Sequence, residues 1–348
     1  MPLIKIQPLD TLFFRDGKPF TMGEDTYATS QKLPNASVFW GALFTDLLYR
    51  ELVTINDTPK LKIKGVYLYD SEKKNLLMPT PLDLFQNKDK KVVADKFELV
   101  ENSRFGNDKM LHGRIEGAVL AQDSHVSLPE DTFITSAAFW NNYLSVVQIN
   151  NIDLQKTDFI KSYPKIGIGR NKGTRTVSEG QLYRVNMQEY ASDWSFIVDI
   201  SFDENTFPKS GIIRLGGEGK IAQYQIIQDE LIKTLKEKIE LQKNALIDSE
   251  FFKLYFASPL IYKMDIDTLF NVGDIQLVSV VTGKSIEIGG FDYKERKPKP
   301  MLKAYPSGSV FICHKPKGKN LKDFEIHLTK QLEEHGLYGF NQFFFTKY

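Results

Sequence analysis

Lys165 to Arg184 reads KIGIGRNKGTRTVSEGQLYR, and its glycine spacing separates the two broad ways of building a mixed α/β chain. Glycines at 167, 169, 173 and 180 let main-chain N–H groups approach a ligand. Lys165, Arg170, Lys172, Arg175 and Arg184 are opposed there by a single acid, Glu179. The spacing is G-x-G-x-x-x-G rather than the G-x-G-x-x-G of a dinucleotide-binding turn, and the β-branched Thr174, Thr176 and Val177 open a helix poorly. A Rossmann turn is not expected. Two readings stay open: an anion-binding loop suited to a phosphodiester backbone, or a pair of tight turns between strands with solvated cations.

Outward from this stretch the chain alternates strand and helix signals. Met1–Phe14 carries Leu3, Ile4, Ile6, Leu9, Leu12, Phe13 and Phe14, then meets Arg15-Asp16-Gly17-Lys18-Pro19, which is a strand running into turn chemistry. Pro34-Asn35-Ala36-Ser37 caps a helix over Val38–Glu51, where Phe39, Leu43, Leu47 and Arg50 recur at helical spacing; the stripe is core, and the first turn at Ser37 presents N–H groups to which a phosphate can bind. Gln86–Asp131 is rich in charge and turn residues and reads as an insertion, a protruding hairpin. Trp194–Phe207 alternates like a new strand, which sets a domain boundary between residues 192 and 193.

Further on, Gly211–Ile227 is strand-like and broken by Gly216-Gly217-Glu218-Gly219, and Asp229–Leu246 is helical with Leu231, Leu235, Ile239, Gln242 and Leu246 on one face. Ile275–Val281 is a short strand, Pro306-Ser307-Gly308-Ser309 a hairpin turn into Val310–Cys313, and Gly339–Tyr348 an aromatic core strand. The fold class that fits is α+β: two compact units, 1–192 and 193–348, with antiparallel sheets.

The bulk numbers agree with an ordinary globular chain. Its 348 residues, 42% hydrophobic, are enough for more than one core. Lys5 and Asp10 interrupt the N-terminal apolar stretch and Asp46 interrupts Val38–Leu48, so neither a signal peptide nor a membrane span is expected, and the cytoplasm is the expected compartment. Cys313 is the single cysteine, which precludes an internal disulfide and a cysteine-based zinc cage. Residues 160–184 carry a net +5 and residues 294–319 a net +7 against a formal total of +1, so the remainder sums to −11. A local basic surface on an acidic body suits one bounded groove for nucleic acid; the alternative is two unrelated solvated loops.

Several chemistries are missing. Thr282-Gly283-Lys284-Ser285 resembles the end of a P-loop, but Val278 stands where the first glycine is required. Gly216-Gly217-Glu218-Gly219 resembles the paired-acid turn of nucleotide cyclases with the second acid replaced by Gly219, leaving a metal-free or backbone-binding role, or simply a bulged turn. The histidines, 112, 125, 314, 327 and 335, show no metal-ligand spacing, so no metal and no cofactor is expected. His112, between Lys109 and Arg114, is the one candidate general base of a metal-free ribonuclease, against a plain loop histidine.

Taken in order, these pieces resemble one family: the third subunit of the type III-B CRISPR effector, the Cmr complex, in the RAMP superfamily. The resemblance rests on Pro8-Leu9-Asp10-Thr11-Leu12-Phe13-Phe14-Arg15-Asp16-Gly17-Lys18-Pro19-Phe20 and Gly41-Ala42-Leu43. It continues through Ile166-Gly167-Ile168, Glu179-Gly180-Gln181-Leu182-Tyr183, Arg214-Leu215-Gly216-Gly217-Glu218-Gly219, Gly290-Phe291 and Lys303-Ala304-Tyr305-Pro306-Ser307-Gly308-Ser309-Val310. It implies two ferredoxin-like domains, each akin to an RNA-recognition fold with a glycine-rich loop. It also implies binding of the 5′ handle of a CRISPR RNA, docking against the large polymerase-like subunit and an adjacent backbone RAMP subunit, and indirect contact with target RNA. The resemblance further implies that no membrane is involved and that cleavage belongs to neighbouring subunits.

On that reading the Gly167–Arg175 segment, with Gly169, Asn171, Gly173 and Thr174, and the Gly216–Lys220 turn, with Gly217 and Gly219, offer main-chain N–H groups to handle phosphates. Lys165, Arg170, Lys172, Arg175, Arg214 and Lys303 supply charge, Ser37 a helix start, and Arg15 and Lys18 close the cleft, while the 86–131 hairpin wedges between handle and guide. Two other functions stay open: a handle-cleaving ribonuclease of the same superfamily, and a protein-only scaffold whose glycine loops serve a partner subunit.

Overall fold

The computed structural model describes residues 2–15, 27–28, 30–86, 92–94, 129, 131–144, 149–150, 152, 154–170, 173–174, 176–203, 205–292, 295 and 297–348. The wedge expected of the 86–131 insertion lies almost entirely outside these residues. Contacts gather the chain into two compact units, and neither is a contiguous segment. One comprises Met1–Val66, Asp158–Ile227 and Glu287–Leu302, the other Tyr67–Thr157, Gln228–Ile286 and Lys303–Tyr348.

In chain order the first unit begins with β1 (Leu3–Pro8) and α1 (Ala36–Tyr49). β2 (Lys62–Asp70) carries the chain into the second unit, where β3 (Asn75–Pro79), β4 (Thr132–Thr135) and β5 (Leu154–Lys156) follow. The chain then returns with β6 (Ile160–Arg170), β7 (Val177–Tyr190), β8 (Trp194–Ser201), β9 (Ser210–Arg214) and β10 (Ile221–Ile227). The second unit ends the chain with α2 (Glu230–Ala245), β11 (Phe251–Phe256), α3 (Ile266–Phe270), β12 (Gln276–Val281), β13 (Val310–His314), α4 (Lys322–Gln331) and β14 (Phe343–Lys347).

In the first unit the sheet order is β9-β10-β1-β8-β2. β1 is central, antiparallel to β8 through Leu3↔Asp199 and to β10 through Leu3↔Ile227. Trp194–Ser201, read from the sequence as the opening strand of a second domain, is thus a neighbour of the N-terminal strand. Its residues are buried from Trp194 to Ile200 rather than alternating, as a strand covered on both faces requires. α1 begins two residues before its expected start because Asn35 is extended at the N-cap (φ −61°, ψ 147°). Phe39, Leu43 and Leu47 are almost wholly buried, each contributing roughly 1.5–3 kcal/mol. Phe39 meets Phe196 of β8 at 4.9 Å between ring centres. Asp46 of the same helix holds Arg50 Nε at 2.9 Å and accepts the Tyr224 hydroxyl of β10, which fixes α1 on the sheet.

In the second unit β11, α3, β12, β13, α4 and β14 follow one another, and their sheet order is β12-β13-β11-β14 with antiparallel pairing throughout. The core is aromatic: Phe252, Phe256, Phe270, Phe311, Phe324 and Phe345 cluster with Leu254 and Leu328, and Phe270 stacks on Phe311 at 4.6 Å. The carboxy-terminal strand is core, as its composition predicts. α2 runs from an Asp229 N-cap whose carboxylate accepts the N–H groups of Leu231 and Ile232 at 2.8 and 3.2 Å. Asp83, with no exposed surface, accepts Lys253 Nζ of β11 at 2.9 Å and the Tyr143 hydroxyl at 2.8 Å. Among the described residues no helix is long and apolar enough to cross a membrane.

Candidate nucleic-acid interface

β9 and β10 form a hairpin from Ser210↔Gln225 to Arg214↔Ile221, joined by Leu215–Lys220. Leu215 is fully buried and its N–H donates to Lys220 O at 2.9 Å, so the turn is held at its base. Gly216, Glu218 and Gly219 are all left-handed, with φ of +78°, +60° and +67°. The glycines answer different demands. A Cβ on Gly216 would lie 2.5 Å from Phe13 O, whereas a Cβ on Gly219 would meet nothing within 4 Å. The Gly217 N–H donates to the same Phe13 carbonyl at 2.8 Å. That amide is committed within the fold, so the expected main-chain grip over 216–220 does not extend to Gly217.

The stretch that opened the sequence reading is largely β-ladder. β6 and β7 pair antiparallel from Ile160↔Tyr190 to Arg170↔Val177, with one register irregularity between Ile168 and Arg170. Lys165–Arg170 is therefore strand rather than the loop expected of Gly167 and Gly169. The reason for Gly167 is steric: it stands opposite Tyr183, whose ring lies where a Cβ would be. Val185 and Met187 of β7 are buried with Phe13 and Ala28, and Tyr183 packs against them. Ile166, 68% exposed, Ile168, 40% exposed, and Arg184 face solvent on the hairpin.

Phe13 thus touches both pieces, its carbonyl the glycine turn and its ring the hairpin. Two ion pairs close the arrangement. Lys165 Nζ lies 2.8 Å from Glu218 Oε2, and the hydrogen bond to that carboxylate raises the lysine's pKa. Lys220 Nζ is bound by Asp10 Oδ2, and that bond holds the Asp10 carboxyl below the ordinary aspartate range. The Asp10 carboxylate also accepts the Thr11 N–H at 2.6 Å and the Thr11 hydroxyl at 3.2 Å.

Of the other residues read from the sequence, Arg15 is exposed and bridged to Ser30, Arg214 is exposed at the end of β9, and Ser37 is half-buried in the first turn of α1. Gly169 and Arg170 lie on β6, and Gly173 and Thr174 are exposed between β6 and β7. Lys18, Asn171, Lys172, Arg175 and His112 lie outside the described residues. Lys303 is exposed and belongs to the second unit. Asp10, Phe13 and Glu218 were not singled out as site residues. The glycine neighbours of Glu218 mark it as a turn acid, but nothing local pairs it with Lys165. Among the described residues no group of three or more His, Cys, Asp or Glu side chains is placed to hold a metal ion. The arrangement is a turn and a strand pair held together by the Phe13 carbonyl and the Lys165–Glu218 pair.

Known proteins share both sequence and fold with this chain. Residues 4–347 match the family model described as CRISPR-associated protein (Cas_Cmr3). The CRISPR system CMR subunit Cmr3 of Saccharolobus solfataricus strain P2 is 28% identical over 315 residues, covering 89% of this chain and 85% of the relative. A chain in the cryo-EM structure of the Type III-B Cmr-beta bound to cognate target RNA superposes with a TM-score of 0.55 at 18% identity, covering 97% of this chain and 94% of that one. A second such structure, with AMPPnP as well, gives a TM-score of 0.51 at 18% identity, covering 89% and 86%. Likeness at that identity concerns the fold.

Proposed function

The chain belongs to the Cmr3 family of CRISPR-associated proteins, and from that premise we propose that it is a non-catalytic, RNA-holding subunit of a type III-B CRISPR effector complex. It holds the 5′ handle of the CRISPR RNA and docks against the large polymerase-like subunit, with a backbone RAMP subunit adjacent. Target RNA reaches it indirectly, through the guide.

The observation that carries this reading is the meeting, in one unit, of the basic hairpin and the glycine turn, with Lys165 of the hairpin 2.8 Å from Glu218 of the turn. Single-stranded RNA is held by a cationic track along its phosphates and by flat surfaces against its splayed bases. Lys165 and Arg214 and, on the sequence reading, Arg170, Lys172 and Arg175 supply the track's charge. Ile166 and Ile168 beside Arg184 supply an exposed apolar and cationic face. Main-chain contact falls to Gly216 and Gly219. The fold supports a ferredoxin-like, RNA-recognition-like reading of each unit. What supports it is the succession strand-helix-strand-strand-helix-strand with order β12-β13-β11-β14 in the second unit, and the order β10-β1-β8-β2 in the first.

If about four phosphates are neutralised, log affinity for a repeat-derived RNA falls with log salt at a slope near −3, about −0.7 per contact on a single strand. Arg170 and Arg175 changed together to Ala flatten it by about 1.4. An unchanged slope in that variant removes the hairpin from the interface.

A further inference from the structure

Two lysines of the candidate interface are already engaged by carboxylates, and the two engagements differ in kind. Asp10 is anchored three times: one oxygen takes the Thr11 N–H at 2.6 Å and the Thr11 hydroxyl at 3.2 Å, the other takes Lys220 Nζ. Lys220 is correspondingly withdrawn, its side chain 17% exposed, although that of Asp10 is 49% exposed, so the pairs differ in the burial of the lysine and the anchoring of the acid. Glu218 sits at the tip of a turn in left-handed backbone between two glycines, and its carboxylate bonds Lys165 Nζ at 2.8 Å. Both side chains of that pair are partly open to solvent, 27% for Glu218 and 45% for Lys165. A pair so exposed is weak, and its acid can swing out on a flexible stem.

We infer that Glu218 is a specificity-determining residue acting through Lys165: it occupies the lysine in the free protein and yields it to an RNA phosphate on binding, while the Asp10–Lys220 pair stays closed as part of the scaffold. The inference rests on the RNA-holding reading of this site. A displaceable acid raises the threshold for any polyanion, so ligands with only diffuse charge complementarity are rejected more strongly than an RNA whose phosphates are placed to take the lysine. It also removes Lys220 from the phosphate contacts assigned from the sequence.

The test is a binding titration of the full chain with a fluorescein-labelled single-stranded RNA that copies the CRISPR repeat end, and in parallel with heparin, at about 0.1 M salt. Glu218→Gln binds the RNA about two- to fivefold tighter and gains more on heparin than on RNA. Lys165→Gln weakens RNA binding, and in that background Glu218→Gln has no effect. Asp10→Asn gives no tightening, and its thermal midpoint falls. Normal RNA binding by the unaltered chain with unchanged or weaker binding by Glu218→Gln overturns this inference and leaves the RNA reading standing. An equal gain from Glu218→Gln with and without Lys165 also overturns it, because the acid would then act by general charge alone. Absence of RNA binding by the unaltered chain sinks the RNA reading and this inference with it.

Discussion

Phe13 shows how much a single residue organises, because its carbonyl limits what can stand at Gly216 and receives the Gly217 N–H at 2.8 Å. Gly216 and Gly219 look equivalent in the sequence, yet they are not. Both need positive φ, which costs a side-chain-bearing residue about 1–2 kcal/mol, but Gly216 must also avoid a backbone oxygen 2.5 Å from its Cβ position. Gly219→Ala is therefore expected to lose about 1–2 kcal/mol in urea unfolding, and Gly216→Ala about 1–3 kcal/mol more. Equal losses would mean that the Phe13 carbonyl does not constrain the turn. The sequence marked the turn by its glycines and marked Lys165 and Lys220 by their charge. It could not mark Glu218 and Asp10 as their partners, since residues 53 and 210 positions apart share no local pattern.

Elements were legible where periodicity was strong. The helix read at Asp229–Leu246 spans Glu230–Ala245 with Asp229 as its N-cap; of the face read from the sequence Leu235 and Gln242 are buried and Leu231 and Ile239 half-buried, while Ile232, outside that face, is buried. The β-branched run at Thr174–Val177 does lead into a strand, β7, as its poor helix propensity predicts. Gly167 misled because glycine signals a turn by freedom of φ, while here it is required by the Tyr183 ring across the ladder. In the second unit an ion pair that no pattern announces fixes β11: Lys253 reaches the wholly buried Asp83 at 2.9 Å. Asp83→Ala strands a buried ammonium and is expected to cost about 3–5 kcal/mol. Asp83→Leu with Lys253→Met and Tyr143→Phe removes both charges and the hydroxyl that Asp83 accepts, and recovers most of that loss. Denaturant midpoints of the two variants decide it, and equal losses would mean that the charges are not what holds the strand.

At the scale of the molecule, the sequence pointed to two α+β bodies with antiparallel sheets, and the described residues form two compact units of mixed helix and antiparallel strand. Their composition was not legible. β1 finds its partners at β8 and β10 far along the chain, and the two units alternate along the chain in three segments each. Such pairings are set by which strands bury together, a property that local patterns do not carry. The uneven charge, a net −11 outside two basic stretches, was legible in the sequence, but whether the two stretches serve one surface was not. On the proposed reading, the glycine turn and the hairpin hold the leading nucleotides of a guide RNA. Ultraviolet cross-linking of the purified RNA-bound complex, read by mass spectrometry, tests it most directly. The prediction is cross-links from the RNA's 5′ end to peptides spanning 165–184 and 214–220. Cross-links confined to other surfaces of the chain would contradict it.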